Sequence, residues 1–191
     1  MTEQQPLTNT PMPVRLTVDD YLLLDDAGAF EGYGKTELLE GEITYMNAQH
    51  RPHSRAKSRL YLAIAQALKD RSLEALVEVS VAIPPHNVPE PDIVVTNEPS
   101  GDGLAPLASI RLLIEVSDTT LKHDLGRKAD LYAANGIPEY WVIDLTERRV
   151  LMHANPRWDG SGYDSQLDVP FGEPLHAVTI EGLTVQTATL G

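Results

Sequence analysis

Two carboxylates stand where apolar residues are expected. Glu115 interrupts Leu112-Leu113-Ile114-Glu115-Val116, the most apolar run of the chain. Asp92 opens a second apolar run, Ile93-Val94-Val95, directly after the proline-rich stretch PPHNVPEP. Burying a lone carboxylate costs several kcal/mol unless it is paired, protonated or bound to a cation. Runs this apolar read as strands buried in a sheet, which would put the two acids on neighbouring strands. Such a pair suits a hard divalent cation. Magnesium takes oxygen ligands, usually one or two protein carboxylates with waters and substrate phosphate oxygens. A plainer reading, a strand-end acid that is hydrogen-bonded or solvated, suits Glu115 alone better than it suits the pair.

The elements that must position these acids follow from periodicity. Thr17 ahead of Val18–Leu24 reads as the cap of a short helix. Residues 25–34 hold three glycines and read as a loop. Glu37–Met46 reads as a hairpin turning at Glu40-Gly41. Leu60, Ala63, Ile64, Ala67 and Leu68 recur at helical spacing and predict a helix from about His53 to Arg71. Val77–Ile83 alternates as a half-buried strand. The prolines after it make an extended connector that cannot pair in a ladder. Asp124–Asn135 reads as a helix with Asp124 as its N-cap and Gly136 as its stop. Tyr140–Ile143, with Trp141 in the core, predicts a buried strand that turns into Arg149–Ala154. The tail after Trp158 reads as short strands and turns. This order of elements gives a mixed α/β protein.

The chain has 191 residues, 15 basic and 28 acidic, for a net charge of −13. Residues 1–13 are polar with three prolines and read as a disordered lead-in to a single domain over 14–191. With no cysteine, disulfides, thiolate metal sites and cysteine nucleophiles are excluded. No apolar run reaches the ~18 residues that span a bilayer, and the start shows no secretory signal, so a cytoplasmic location without membrane association is expected. Neither a G-x-S-x-G elbow, a P-loop nor a GxGxxG occurs, and no organic cofactor is expected.

Several stretches together resemble the PD-(D/E)XK nuclease superfamily and, more narrowly, the Uma-type restriction-endonuclease-like proteins. They are TELLEGEI, PHSRAKSRL, EPDIVV, LLIEVSDTTLKHDLGRKADLYAANGIPEYWVIDL and a final GYD, spanning about Thr17–Tyr163. The segment from Leu112 to Leu145 is the specific part. The resemblance implies a restriction-endonuclease-like fold: a mixed β-sheet core flanked by helices, with extra β-hairpins. It makes Asp92 the motif aspartate, Glu115 the acidic member of the (D/E)XK motif and Glu37 the acid of the first hairpin. Ser117 occupies the usual lysine position, two residues after Glu115, and the family's lysine from the next helix matches Lys128. The implied activity is a Mg²⁺- or Mn²⁺-dependent endonuclease acting on DNA, with Asp92 and Glu115 holding the metal. Lys128 would orient or deprotonate the attacking water, or stabilise developing charge. Glu37 would complete the metal site or anchor a water. Lys128 as a solvated helix lysine and Glu37 as a hairpin-edge acid are the alternatives. Tyr132 matches the pattern as a packing residue.

Between Arg51 and Arg71 stand six basic residues and one acid, Asp70, a local reversal of sign. The segment could face a phosphate backbone, with His53, Arg55 and Arg59 as contacts, or be a helix with a solvated basic face. His53 could equally cap its helix. Restriction-like nucleases often cut two strands as dimers, so a homodimer is expected by resemblance. The competing functional class is a catalytically silent nuclease fold that binds DNA or protein.

Overall fold

The computed structural model describes residues 9–46 and 48–190. Thr17 caps α1 (Val18–Asp26) through a reciprocal capping box with Asp20, which satisfies amides that the first turn leaves free. Glu40 and Gly41, both at positive φ (53° and 82°), turn β1 (Lys35–Leu39) back onto β2 (Glu42–Met46), as the Glu-Gly pair predicts. Helix α2 (Arg51–Leu68) follows. It starts at Arg51 and stops short of Arg71, whose side chain bonds the Glu181 carbonyl.

The strand expected over Val77–Ile83 is broken. The chain forms β3 (Glu74–Val77), bends at Glu78 with φ 53°, and resumes as the two-residue β4 (Val81–Ala82). A left-handed residue cannot continue a ladder, so the alternating pattern crosses a corner. β5 (Ile93–Thr96), β6 (Ala105–Pro106) and β7 (Ile110–Ser117) come next. The expected Asp124–Asn135 helix begins earlier and is irregular. It comprises α3 (Leu121–His123), a π-helical turn (Asp124–Lys128) and α4 (Ala129–Ala134). Asp124 is therefore not an N-cap. Gly136, at φ 72°, follows the helix end as predicted. β8 (Glu139–Asp144), β9 (Arg149–Pro156), β10 (Tyr163–Pro170), β11 (Pro174–His176) and β12 (Thr184–Gln186) complete the chain. Of the expected lead-in, residues 9–13 form neither helix nor strand, and residues 1–8 lie outside the described residues.

The main sheet has the order β10-β9-β8-β7-β5-β3, with β7 and β8 parallel and the other pairs antiparallel. Strand alternation splits β7 between two cores. Leu112, Ile114 and Val116 pack with Ala56, Leu60, Ile64 and Leu68 of α2. Leu113 packs on the opposite face with Ala129, Tyr132 and Ala133 of the α4 segment. Burying each large α2 side chain contributes about 1.5–3 kcal/mol. Glu115 and Ser117 share the face of Leu113, so they look toward the irregular helix. No helix among the described residues is long and apolar enough to cross a membrane.

Candidate active site

Sheet register brings the two sequence-predicted acids together. Ile93 pairs with Ile114 in the antiparallel β5–β7 ladder, so Asp92 and Glu115, one step along each strand, come opposite each other. The Val116 amide donates to Asp92 Oδ2 at 2.8 Å, holding the carboxylate at the strand mouth. Both acids are buried, as are Glu37 and Lys128.

Lys128 reaches this point because of the π-helical turn. There the Ala129 amide bonds back to the Asp124 carbonyl, widening the helix by one residue and redirecting the side chains that follow. Lys128 Nζ donates to Glu115 Oε1 at 2.7 Å and to Glu37 Oε1 at 2.9 Å. Glu37 Oε1 also accepts the Glu90 amide at 2.7 Å. The ammonium thus comes from the helix onto the sheet face that carries Ser117, whose buried hydroxyl instead meets Thr120 Oγ1 at 3.4 Å. Tyr132 packs as expected, and its hydroxyl lies 3.4 Å from Glu115 Oε1. Asp124, also buried, accepts from Thr120 Oγ1 at 2.7 Å and supports the turn from within.

One cation between two carboxylates leaves a surplus negative charge. Burial pushes the Glu115 carboxyl up to about 8, the Asp92 and Asp124 charges add to that push, and Lys128 opposes it. Burial pulls the Lys128 ammonium down, yet Glu115, Tyr132 and Glu37 outweigh it and hold the group well above its ordinary value. For Asp92 burial alone would raise the carboxyl. The hydrogen bond and charge of His53, the Val116 amide and the Lys35 charge together hold it below its usual value.

Asp92, Glu115, Lys128, Asp124 and His53 line a cleft of about 710 Å³, and Glu37 supports Lys128 from behind its wall. Its wall carries six carboxylates (Glu78, Glu90, Asp92, Glu115, Asp118 and Asp124) against two lysines, Lys35 and Lys128. Among the described residues no group of three or more His, Asp or Glu side chains is arranged to hold a metal ion. Asp92 and Glu115 nevertheless fit a magnesium-type cation, which needs only one or two protein carboxylates beside water and substrate oxygens. The elevated Glu115 carboxyl adds to the fit, because a second cation would return it to its charged form.

The basic helix is used differently from the sequence expectation. His53 Nε2 sits 3.1 Å from Asp92 Oδ2 and therefore acts on the carboxylate, not as a helix cap. Arg59 bonds the Thr189 carbonyl and is turned to the C-terminal tail instead of the cleft. Arg55 is exposed on α2 and does not line the cleft. Sequence reasoning passed over Lys57, 3.6 Å from Asp92 Oδ1, and Gln49, which donates to the same oxygen at 3.1 Å. Lys57 is four residues after His53, so it lies on the same helix face, and that spacing was the available signal. Glu90, two residues before Asp92 on the connector ahead of β5, lines the same cleft. Lys35 meets Glu90 at 3.5 Å, a contact that no local pattern marks.

The model of the Uma2 family, described as "Putative restriction endonuclease", matches residues 18–188. A solved structure described as "a putative nuclease belonging to DUF820 from Anabaena variabilis ATCC 29413" is similar with a TM-score of 0.69. That likeness covers 92% of this chain and 97% of the other at 18% identity, and is one of fold. No curated protein matches the chain.

Proposed function

This chain belongs to the Uma2 family of restriction-endonuclease-like nucleases, and on that premise we propose that it hydrolyses DNA phosphodiester bonds with a divalent metal, Mg²⁺ or Mn²⁺, in the cleft of Asp92, Glu115 and Lys128. The observation that carries the reading is the delivery of Lys128 to Glu115 at 2.7 Å from a helix, on the strand face where Ser117 leaves no ammonium.

Asp92 and Glu115 would hold the cation, which supplies Lewis acidity toward a phosphoryl oxygen and an acidified water. Lys128 stays protonated, since its partners lift it well above its ordinary value. Its part is therefore to stabilise negative charge at the phosphate and to orient Glu115, and not to remove a proton. Glu37 positions Lys128 from the opposite side and is itself fixed by the Glu90 amide. His53 and Lys57 stabilise the ionised form of Asp92.

Supercoiled plasmid incubated with protein and Mg²⁺ or Mn²⁺ tests the proposal. Wild type is expected to nick or linearise it, and Lys128→Met to lower the rate by about 10²–10³-fold. Circular dichroism checks that the variant is folded. Binding of plasmid and of single-stranded DNA without cleavage of either under both metals would refute hydrolysis and leave the silent binding fold.

A further inference from the structure

Of the seven tyrosines, Tyr33 and Tyr45 are the exposed ones, at 55% and 62%. They touch each other, with ring centroids 5.2 Å apart and planes inclined by 48°. Tyr45 pairs with Thr36 across the β1–β2 hairpin, so the backbone beneath it is fixed by the same ladder that carries Glu37. Tyr45 lines the main cleft and also an adjoining hollow of about 330 Å³, which it shares with Tyr33, Phe30, Thr36, Ile43 and Thr44.

This hollow differs chemically from the cleft beside it. No acid or base lines it, whereas the cleft wall is dominated by carboxylates. Adjacent aromatic rings held in water offer flat apolar faces whose energy is lowered by stacking. Thr44 adds a hydroxyl to the lining, while the Thr36 hydroxyl is bonded to that of Tyr21 at 2.9 Å. A planar, uncharged, heteroatom-bearing ring fits such a place, and its attachment must let it reach the hollow while a phosphate lies in the cleft. Continuous duplex keeps its bases stacked inside and cannot present one.

We propose that Tyr33 and Tyr45 form a stacking platform for an unpaired nucleobase next to the phosphate held in the cleft. The preferred substrate is then single-stranded DNA, or DNA with an unpaired stretch, over uninterrupted duplex. The inference rests on the nuclease reading for its choice of ligand, but base binding at the platform does not require hydrolysis.

The test uses the full chain with calcium present and magnesium absent, and a single-stranded oligonucleotide carrying one 2-aminopurine. Anisotropy of a terminal dye reports binding and 2-aminopurine quenching reports stacking. Wild type is expected to bind and quench. Tyr45→Ala and Tyr33→Ala are each expected to weaken binding about tenfold and to lose the quench, while Tyr45→Phe keeps both. Binding of the matching duplex should be weaker and indifferent to the tyrosines. Equal binding by wild type and both alanine variants, equal loss on duplex, or no binding of the single strand by wild type would each overturn the platform. Tyrosine-dependent quenching in a protein that cleaves nothing under Mg²⁺ or Mn²⁺ would support the platform and sink the hydrolase reading alone. Cleavage of single strands unchanged in Tyr45→Ala would do the reverse.

Discussion

Glu115→Gln should make the protein more stable at alkaline pH while removing its function. In the folded chain burial lifts the Glu115 carboxyl from its ordinary 4.5 to about 8. A carboxyl raised by folding supports the folded state while protonated, and that support is lost as pH rises from the unfolded value through the folded one. At 1.36 kcal/mol per pKa unit, the easier ionisation of Glu115 in the unfolded chain lowers stability by about 1 kcal/mol at pH 5 and about 4 kcal/mol at pH 8. Glutamine keeps an oxygen for Lys128 and has no proton to lose, so this loss of about 3 kcal/mol between the two pH values disappears. With a urea dependence of about 2 kcal/mol per molar, the wild-type midpoint should fall about 1.5 M further than the variant's between pH 5 and pH 8. Urea unfolding followed by circular dichroism at both pH values measures it. Subtracting the variant's change removes the titrating groups that do not interact with Glu115, and leaves the response of Glu115 together with the groups around it. Mg²⁺ or Mn²⁺ should restore wild type at pH 8, since a cation favours the ionised carboxylate, and should do little for Glu115→Gln. An equal pH response of the two proteins would refute the account of a surplus charge around Lys128.

Asp92→Asn should show the opposite pH signature. Asp92 is held below its usual value, so its contribution is present above the unfolded value and lost as pH falls through the folded one. The variant should be about 1–3 kcal/mol less stable than wild type at neutral pH, with the gap closing in acid, and calorimetry should show weakened Mn²⁺ binding. Gly41→Ala strains the hairpin turn. Gly41 has φ 82°, and an added Cβ would meet Arg15 Cβ at 2.7 Å and Cα at 2.8 Å. Thermal unfolding should show a loss of about 1–3 kcal/mol, and plasmid cleavage should fall because the hairpin carries Glu37.

What could be read from the chain was local. Thr17 with Asp20, Glu40 with Gly41, the spacing from Leu60 to Leu68, and Gly136 each specify a cap, a turn, a helix face or a stop through neighbours a few residues away. The apolar runs around Glu115 and after Asp92 also marked their carboxylates as anomalies, because a carboxylate among apolar neighbours needs a partner, a proton or a cation whatever the fold. The pattern failed where local rules met tertiary demands. Val77–Ile83 alternates, yet it turns a corner at Glu78 so that β3 can join β5 while β4 pairs with β6. Asp124 has the type of a cap, yet it lies inside a π-helical turn, where Thr120 and the Tyr140 hydroxyl hold it.

The sequence by itself determined that Asp92 and Glu115 stand as carboxylates at apolar strands, and its resemblance to a family supplied the proposed roles. Only the tertiary structure decided which residues meet. Lys128 finds Glu37 across 91 positions of chain, and His53 and Lys57 reach Asp92 from a helix packed on the sheet. It also separated Arg59, which had looked like a phosphate contact, from the cleft, and set Tyr33 against Tyr45 at its rim. Propensity and capping act over one or two turns, whereas charge pairing across a sheet is fixed by register and helix packing. Those depend on the burial of both cores at once.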